Sequence, residues 1–241
     1  MRSILRFFVI VLVAFAGVSV VEAQGARPRF RPALLGSGPE SLVNRIDTAE
    51  LFKNGQKDGA VMFSSFVTKT GEVTWSRTYR AMPETTALEK ELLGRLANVK
   101  MVPAIYNHQP VDVILHGTVI FSVNEGKPRL RIFLNQESKE LKGEKDFVGP
   151  QAVVGGDSKF TGLHYPPDMS VQVNGVVDLG IKVDANGNMQ ELRGLAEEPP
   201  LLGFGDAAMS DFTGAKFIPA FRDGDPIECD IVLPVPYQAE G

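Results

Sequence analysis

Apolar and polar residues alternate along two stretches that lie 116 positions apart in the chain. The inward-facing positions are Val61, Phe63, Ser65 and Val67 in the first stretch and Val177, Leu179, Ile181 and Val183 in the second. Period-two alternation is typical of a strand with one buried face. Each stretch runs into a glycine-bearing turn, Thr70-Gly71 or Asn186-Gly187. The pattern therefore predicts a β-hairpin in each half of the chain.

A segment with helical periodicity follows each predicted hairpin. The apolar residues on one helical face are Leu88, Leu92, Leu93 and Leu96 in the first copy and Phe204, Ala208, Met209 and Phe212 in the second. This spacing predicts two amphipathic helices, and core packing explains both apolar faces. The sequence Thr86-Ala87-Leu88-Glu89 matches a capping box, which predicts that the first helix is capped by Thr86.

After each helix the chain repeats one phrase, "KMVPAIYNHQPV" at Lys100–Val111 and "KFIPAFRDGDPI" at Lys216–Ile227, with four of twelve positions identical. Prolines at this spacing fit neither a helix interior nor a central strand, so we interpret the phrase as a helix-to-strand corner. A third strand follows in each copy. The predicted fold class is α+β, with two tandem ββαβ units that each form an antiparallel three-stranded sheet covered by a helix.

These elements divide the chain into five predicted segments. They are a signal peptide (1–23), an N-terminal arm (24–45), a first domain (46–135), a charged linker (136–150) and a second domain (151–241). The first segment has arginines at 2 and 6, an apolar run over 7–21 and a small residue, Ala23, at the predicted cleavage site. This pattern predicts export to the periplasm. The alternative is that residues 7–21 stay uncleaved and anchor the protein in the inner membrane.

Composition narrows the classes of partner. The formal net charge of −4 implies no basic surface suited to a nucleic-acid partner. The chain has a single cysteine, Cys229, so it has no internal disulfide. Because Cys229 lies in an alternating strand-like run, we expect it to be a buried, inert thiol.

Candidate catalytic chemistry is sparse in this sequence. The three histidines, His108, His116 and His164, have no second ligand at metal-binding spacing. The stretch Asp184–Asn188 lacks the later glutamate of a calcium loop, and Gly155–Gly162 lacks the Lys-Ser/Thr ending of a phosphate loop. Asp178 is expected on an outward, solvated strand face. We therefore predict a non-enzymatic protein with no catalytic residues, metal or cofactor.

The ordered set of elements resembles the C-terminal domain family of TonB, a periplasmic energy transducer. The resemblance covers roughly residues 59–121 and 160–237 and includes Tyr165-Pro166. The residues that define the repeat are Pro103, Ala104, Asn107 and Pro110 in copy one and Pro219, Ala220, Asp223 and Pro226 in copy two. The resemblance implies that the protein binds short peptide segments of outer-membrane transporters by strand addition. The long proline-rich spacer of a full TonB is missing, so energy transduction by this chain alone is not expected.

The last strand of each copy is the expected binding edge. In copy one, Leu130, Ile132 and Leu134 are positioned to fold back on that strand and occupy its edge. Copy two has no later strand, so we predict that its edge binds the partner, an envelope protein or peptide such as an outer-membrane transporter. The predicted residues are Ile227, Glu228, Cys229, Asp230, Ile231, Val232 and Leu233. Alternatives are an envelope assembly component that forms homo-oligomers through sheet edges, and an enzyme or small-ligand binder with its site between the units.

Overall fold

The computed structural model describes residues 27–143, 146–167, 169 and 172–239. The predicted signal peptide, its cleavage site and the alternative anchor at 7–21 lie outside these residues. Within them, no helix combines the length and apolar character that crossing a membrane requires.

The described chain contains five helices and fourteen strands. The helices are α1 (Leu42–Arg45), α2 (Thr48–Lys53), α3 (Thr86–Leu96), α4 (Ser138–Gly143) and α5 (Phe204–Phe212). The strands are β1 (Phe30–Arg31), β2 (Gly59–Val67), β3 (Val73–Tyr79), β4 (Ala104–Tyr106), β5 (Gln109–Asn124), β6 (Lys127–Phe133), β7 (Phe147–Val148), β8 (Gln151–Val154), β9 (Gly175–Val183), β10 (Met189–Glu198), β11 (Lys216–Ile218), β12 (Ala220–Arg222), β13 (Asp225–Ile227) and β14 (Cys229–Tyr237).

The fold mixes α and β structure and consists mostly of antiparallel sheets. One sheet has eight strands with a main order β1-β4-β5-β2-β3, and β6, β8 and β11 join it away from that path. Two three-stranded sheets have the orders β10-β9-β14 and β13-β12-β7. The expectation of a separate three-stranded sheet in the first half is wrong. Strand β5 is 16 residues long, so it pairs with β2 and also with β4, β8 and β6.

The two halves use the same strand register at an offset of 116 residues. Val67 pairs with Val113 and Gly59 with Phe121. In the second half, Val183 pairs with Cys229 and Gly175 with Tyr237. Strands β2 and β9 also share the same order of buried and partly buried positions.

Each long helix covers a hydrophobic core with the residues predicted for it. Fully or almost fully buried residues of these helices are Leu88, Leu92 and Leu96 in α3 and Phe204, Ala208 and Phe212 in α5. The capping-box prediction is wrong, because α3 begins at Thr86 itself and its N-cap is Thr85, whose side chain makes no capping bond. Instead, the Leu88 amide donates to the side-chain oxygen of Gln56 at 3.1 Å, and Glu89 accepts from the Thr78 hydroxyl at 2.9 Å.

The repeated phrase is a tight hairpin in both halves rather than a simple corner. Ala104 pairs with Val111 and Ile105 with Pro110, and the turn residues Asn107 and His108 both have positive φ. In the second half, Ala220 pairs with Ile227 and Phe221 with Pro226, and the turn residues Asp223 and Gly224 have positive φ. Two central residues with positive φ are typical of a type I′ turn, which explains why Asn or Asp stands first in both copies. Pro103 and Pro219 directly precede these hairpins.

The charged stretch after β6 packs on both halves of the molecule. The Gln136 side chain donates to the Tyr79 hydroxyl, Glu137 accepts from the Val232 amide, and Glu140 accepts two hydrogen bonds from Arg222. A solvated linker does not describe this stretch. Strand β8, at the start of the predicted second domain, pairs with β5 on one side and β11 on the other. The boundary at residue 150 stays a prediction.

Candidate binding groove

The hairpin predicted to occupy the edge of the first half is confirmed. Strand β6 pairs with residues Thr118–Asn124 of β5, which places Leu130 opposite Phe121 and Ile132 opposite Val119. Leu134 follows β6 and is buried. Residues 118–121 of β5 are therefore paired on both sides by this chain.

The predicted binding residues 227–233 lie on two strands and on Glu228, which separates them. Ile227 ends β13, and Cys229–Leu233 belong to β14, whose other side pairs with β9. Several side chains of this set already have partners: Glu228 forms an ion pair with Lys182 at 3.2 Å, and Asp230 with Arg193 at 3.1 Å. Cys229 is buried as expected, and burial raises the pKa of its thiol to about 12. Binding at residues 227–233 stays a prediction.

The outer edge of β14 offers few hydrogen-bond donors. The Val232 N–H donates to Glu137 Oε1 at 3.0 Å, so it points away from β9. Because the register of β14 on β9 is unbroken, the backbone groups of residues 230, 234 and 236 also point away from β9. Two of them are Pro234 and Pro236, which have no N–H, and the Asp230 amide alone remains for an added strand.

Strand β10 lies at the opposite edge of the same sheet and is more open. In the described part of the chain, its ten residues pair only with β9. It contains no proline, and most of its residues are exposed. Register shifts at Met189/Glu191 and Gly194/Ala196 leave Glu191–Gly194 as its regular stretch. Residues of β9 whose backbone groups bond to β14 alternate with residues whose groups bond to β10. On β10, the backbone groups of Leu192 and Gly194 therefore face outward, away from β9.

A groove runs between this edge and helix α5, and we call it the β10 groove. Its volume is about 580 Å³, and its lining includes Val177, Gly194, Leu195, Leu201, Asp206 and Met209. Gly194 forms part of the floor, since an added Cβ there would lie 3.7 Å from Met209 Cγ. At one end stands Leu201, which is 94% exposed and has a φ of 63°. A large apolar side chain in a left-handed conformation is uncommon.

The first half has a groove at the equivalent place, and residues of the second half form part of its lining. Gly194, Ala196 and Met209 of the β10 groove correspond, 116 residues earlier, to Thr78, Arg80 and Leu93. That cleft of about 690 Å³ is also lined by Gly175, Pro236 and Tyr237 from the second half.

Two arginines of the first half hold the walls of this cleft together. Arg80 donates two hydrogen bonds to Asp178, and Arg77 donates to the Pro236 carbonyl at 3.4 Å. The prediction of a solvated Asp178 is wrong, because its carboxylate is mostly covered and accepts two hydrogen bonds from Arg80 in the other half of the chain.

Sequence reasoning missed a histidine–carboxylate pair beside the β10 groove. His164 Nδ1 lies 2.7 Å from Asp211 Oδ1, and the other carboxylate oxygen accepts from the His164 amide and the Tyr237 hydroxyl. These residues adjoin a second cavity of about 580 Å³, which we call the α5 pocket and which shares Leu201, Gly203 and Asp206 with the β10 groove. The residues lie 47 positions apart, so no local sequence signal joins them.

The other histidines do not build a reaction centre. His108 is exposed in its turn, and His116 is buried with Nδ1 3.4 Å from the Tyr79 hydroxyl. Burial lowers the pKa of His116 to about 4. In the residues that the structure describes, no group of three or more His, Cys, Asp or Glu side chains is arranged to hold a metal ion.

Comparisons with protein-family models, with curated proteins and with solved structures found no match for this chain. The resemblance to TonB C-terminal domains therefore rests on the residues quoted above.

Proposed function

We propose that this protein is a non-enzymatic binding protein that takes up an extended segment of a protein partner as an added strand on the outer edge of β10. The observation that carries the proposal is the unpaired edge of β10 beside an apolar groove. Main-chain hydrogen bonds to an added strand supply affinity, and neighbouring pockets select side chains. Export to the periplasm, and an envelope protein such as an outer-membrane transporter as the partner, belong to the same proposal.

We also propose that the two halves are tandem copies of one ββαβ unit of the kind found in TonB C-terminal domains. The identical register offset supports this. So do two equivalent turn contacts: the Met101 amide donates to the Gly71 carbonyl at 2.8 Å, and the Phe217 amide donates to the Gly187 carbonyl at 2.9 Å. On this proposal, copy two forms one wall of the groove of copy one, and the groove of copy two is left for a partner.

Paired proline variants test the binding edge. Gly194→Pro removes an outward N–H of β10 without touching a bond to β9. Val232→Pro removes an outward N–H of β14, and with it the bond to Glu137, but also leaves the bonds to β9 in place. The probe is a random dodecapeptide library displayed on phage, and an enriched peptide is then titrated while backbone amide shifts are recorded. We expect shifts along Glu191–Glu198 and α5, loss of binding in Gly194→Pro, and binding retained in Val232→Pro.

Two outcomes would overturn the β10 proposal. One is that no peptide is enriched on the folded wild-type protein. Equal thermal stability of Gly194→Pro and the wild-type protein shows that the variant is folded as well. The other is a set of shifts confined to residues 227–233, with loss of binding in Val232→Pro instead. That second result would favour the edge predicted from the sequence.

Self-association through the same edge is the second candidate function. The exposed Leu195 and Leu201 beside an unpaired strand support it, since such edges pair readily between chains. In sedimentation experiments without peptide, a mass that grows with concentration and returns to that of the monomer in Gly194→Pro would support assembly. A monomer at all concentrations would exclude it.

A further inference from the structure

The cavities beside Leu201 are lined by carboxylates and, apart from His164, by no basic residue that the structure describes. Glu197 and Asp206 line the β10 groove, and Asp206 and Asp211 line the adjoining α5 pocket. Neither lining contains a lysine or arginine among the described residues. The ligand surface is therefore acidic as well as apolar, in a chain whose formal net charge is −4.

Two of these carboxylates are already used inside the protein. Glu197 accepts hydrogen bonds from the Leu202 amide at 3.0 Å and the Gly205 amide at 2.5 Å, which ties it to the first turn of α5. Asp211 accepts from His164 and Tyr237. The side chain of Asp206 is exposed and forms no hydrogen bond or ion pair with any described residue.

Asp206 also occupies the central position of the acidic surface. It is shared by both cavities and lies on the same short stretch as Leu201, whose side chain stands almost fully in solvent. A ligand crossing from one cavity to the other therefore meets an exposed apolar side chain and an unpaired carboxylate together. Charge complementarity of this kind selects partners and orients them on approach.

We infer that the segment bound at β10 carries a lysine or arginine that pairs with Asp206, next to a large apolar residue that packs on Leu201. This inference rests on the proposed strand addition and names the chemistry of the added strand. An exposed ion pair of this type contributes up to about 1 kcal/mol, or roughly a fivefold change in affinity. Selectivity among peptides is therefore a sharper readout than affinity alone.

The test compares peptide selections made on the wild type, on Asp206→Lys and on Asp225→Lys. Asp225 is exposed in β13, outside both cavities, so its variant has the same net charge as Asp206→Lys. With the random dodecapeptide library, we expect Lys and Arg beside a large apolar residue to be enriched on the wild type and on Asp225→Lys. On Asp206→Lys we expect Asp and Glu at that position instead.

The outcomes separate this inference from the proposed function. Enriched peptides that bind at β10 without a basic preference, or with the same preference on Asp206→Lys, overturn the inference and leave strand addition standing. A basic preference that disappears equally on Asp225→Lys also overturns it, since net charge would then be the cause. If no peptide is enriched on the folded wild-type protein, the proposed function fails and the inference fails with it.

Discussion

The guanidinium of Arg80 donates two hydrogen bonds of 2.9 Å to the carboxylate of Asp178, which lies 98 residues later in the chain. The pair joins the end of β3 to the middle of β9, and the bond to Asp178 raises the pKa of Arg80. Both side chains are partly exposed, so water and salt weaken the attraction.

A double-mutant cycle with Arg80→Gln and Asp178→Asn measures this contact between the two halves. We expect a coupling free energy of about 1 kcal/mol in urea unfolding, because the geometry is bidentate but the site is not fully buried. The coupling should fall as salt is raised. The exposed pair Lys57–Glu84 serves as the matched control, with a coupling near zero. Equal coupling for the two pairs would contradict a structural role for Arg80–Asp178.

Two glycines test whether the halves share one architecture. An added Cβ at Gly71 would lie 2.1 Å from the Met101 carbonyl oxygen, and one at Gly187 would lie 2.0 Å from the Phe217 carbonyl oxygen. Both residues also have positive φ. We expect Gly71→Ala and Gly187→Ala each to destabilise the protein by roughly 3 kcal/mol or more in chemical denaturation, since a backbone carbonyl cannot move aside.

Gly224→Ala is the control for these substitutions. Gly224 has a positive φ of 90°, but no atom lies within 4 Å of an added Cβ. Its cost should be limited to the backbone conformation, about 1 kcal/mol. If Gly71→Ala and Gly187→Ala differ strongly from each other, or cost no more than Gly224→Ala, the equivalence of the two turns is wrong.

Local elements could be predicted from the sequence because their causes are local. Alternation defined β2 and β9, and the apolar stripes of α3 and α5 are buried as expected. The positions of Gly71 and Gly187 marked the hairpin turns, since both adopt the positive φ such turns require. In these cases the pattern within some ten residues contains the necessary information.

The contacts between the halves could not be predicted this way. Nothing near Asp178 in the sequence indicates Arg80, and nothing near Val232 indicates Glu137. The pairing of β5 with β8 depends on how the halves pack, which no local pattern records. One available signal was overlooked: Pro234 and Pro236, two positions apart, remove donors from one side of a strand. That spacing already argued against β14 as the binding edge.

The thiol of Cys229 should be unreactive in the folded protein. It is buried, and its pKa of about 12 leaves very little thiolate at pH 8. We expect alkylation by iodoacetamide to be on the order of a thousandfold slower in the native protein than in guanidinium. The rate is followed by mass spectrometry. Rapid native alkylation would mean that β14 opens readily and that the edge formed by residues 227–233 is accessible after all.

Protonation of His116 should destabilise the fold at acid pH. Burial lowers its pKa in the folded protein to about 4 from the ordinary histidine value of 6.5, and its Nε2 has no hydrogen-bond partner in the described part of the chain. The stability that depends on a neutral imidazole is therefore fully present above pH 6.5. It decreases as the pH falls and is lost once the pH passes through 4. The loss attributable to this group between pH 7 and pH 4 is about 3 kcal/mol.

The pH dependence of urea unfolding in His116→Leu and His108→Gln isolates this effect from the titration of carboxylates. His116→Leu removes the buried imidazole, so its free energy of unfolding should fall by about 3 kcal/mol less than that of the wild type over the same range. His108→Gln alters an exposed turn residue and should follow the wild-type curve. A small cavity lined by Asn135, Glu137 and Val232 lies beside His116. If the wild type and His116→Leu lose stability in parallel, this cavity admits water and the imidazole of His116 is hydrated in the folded state.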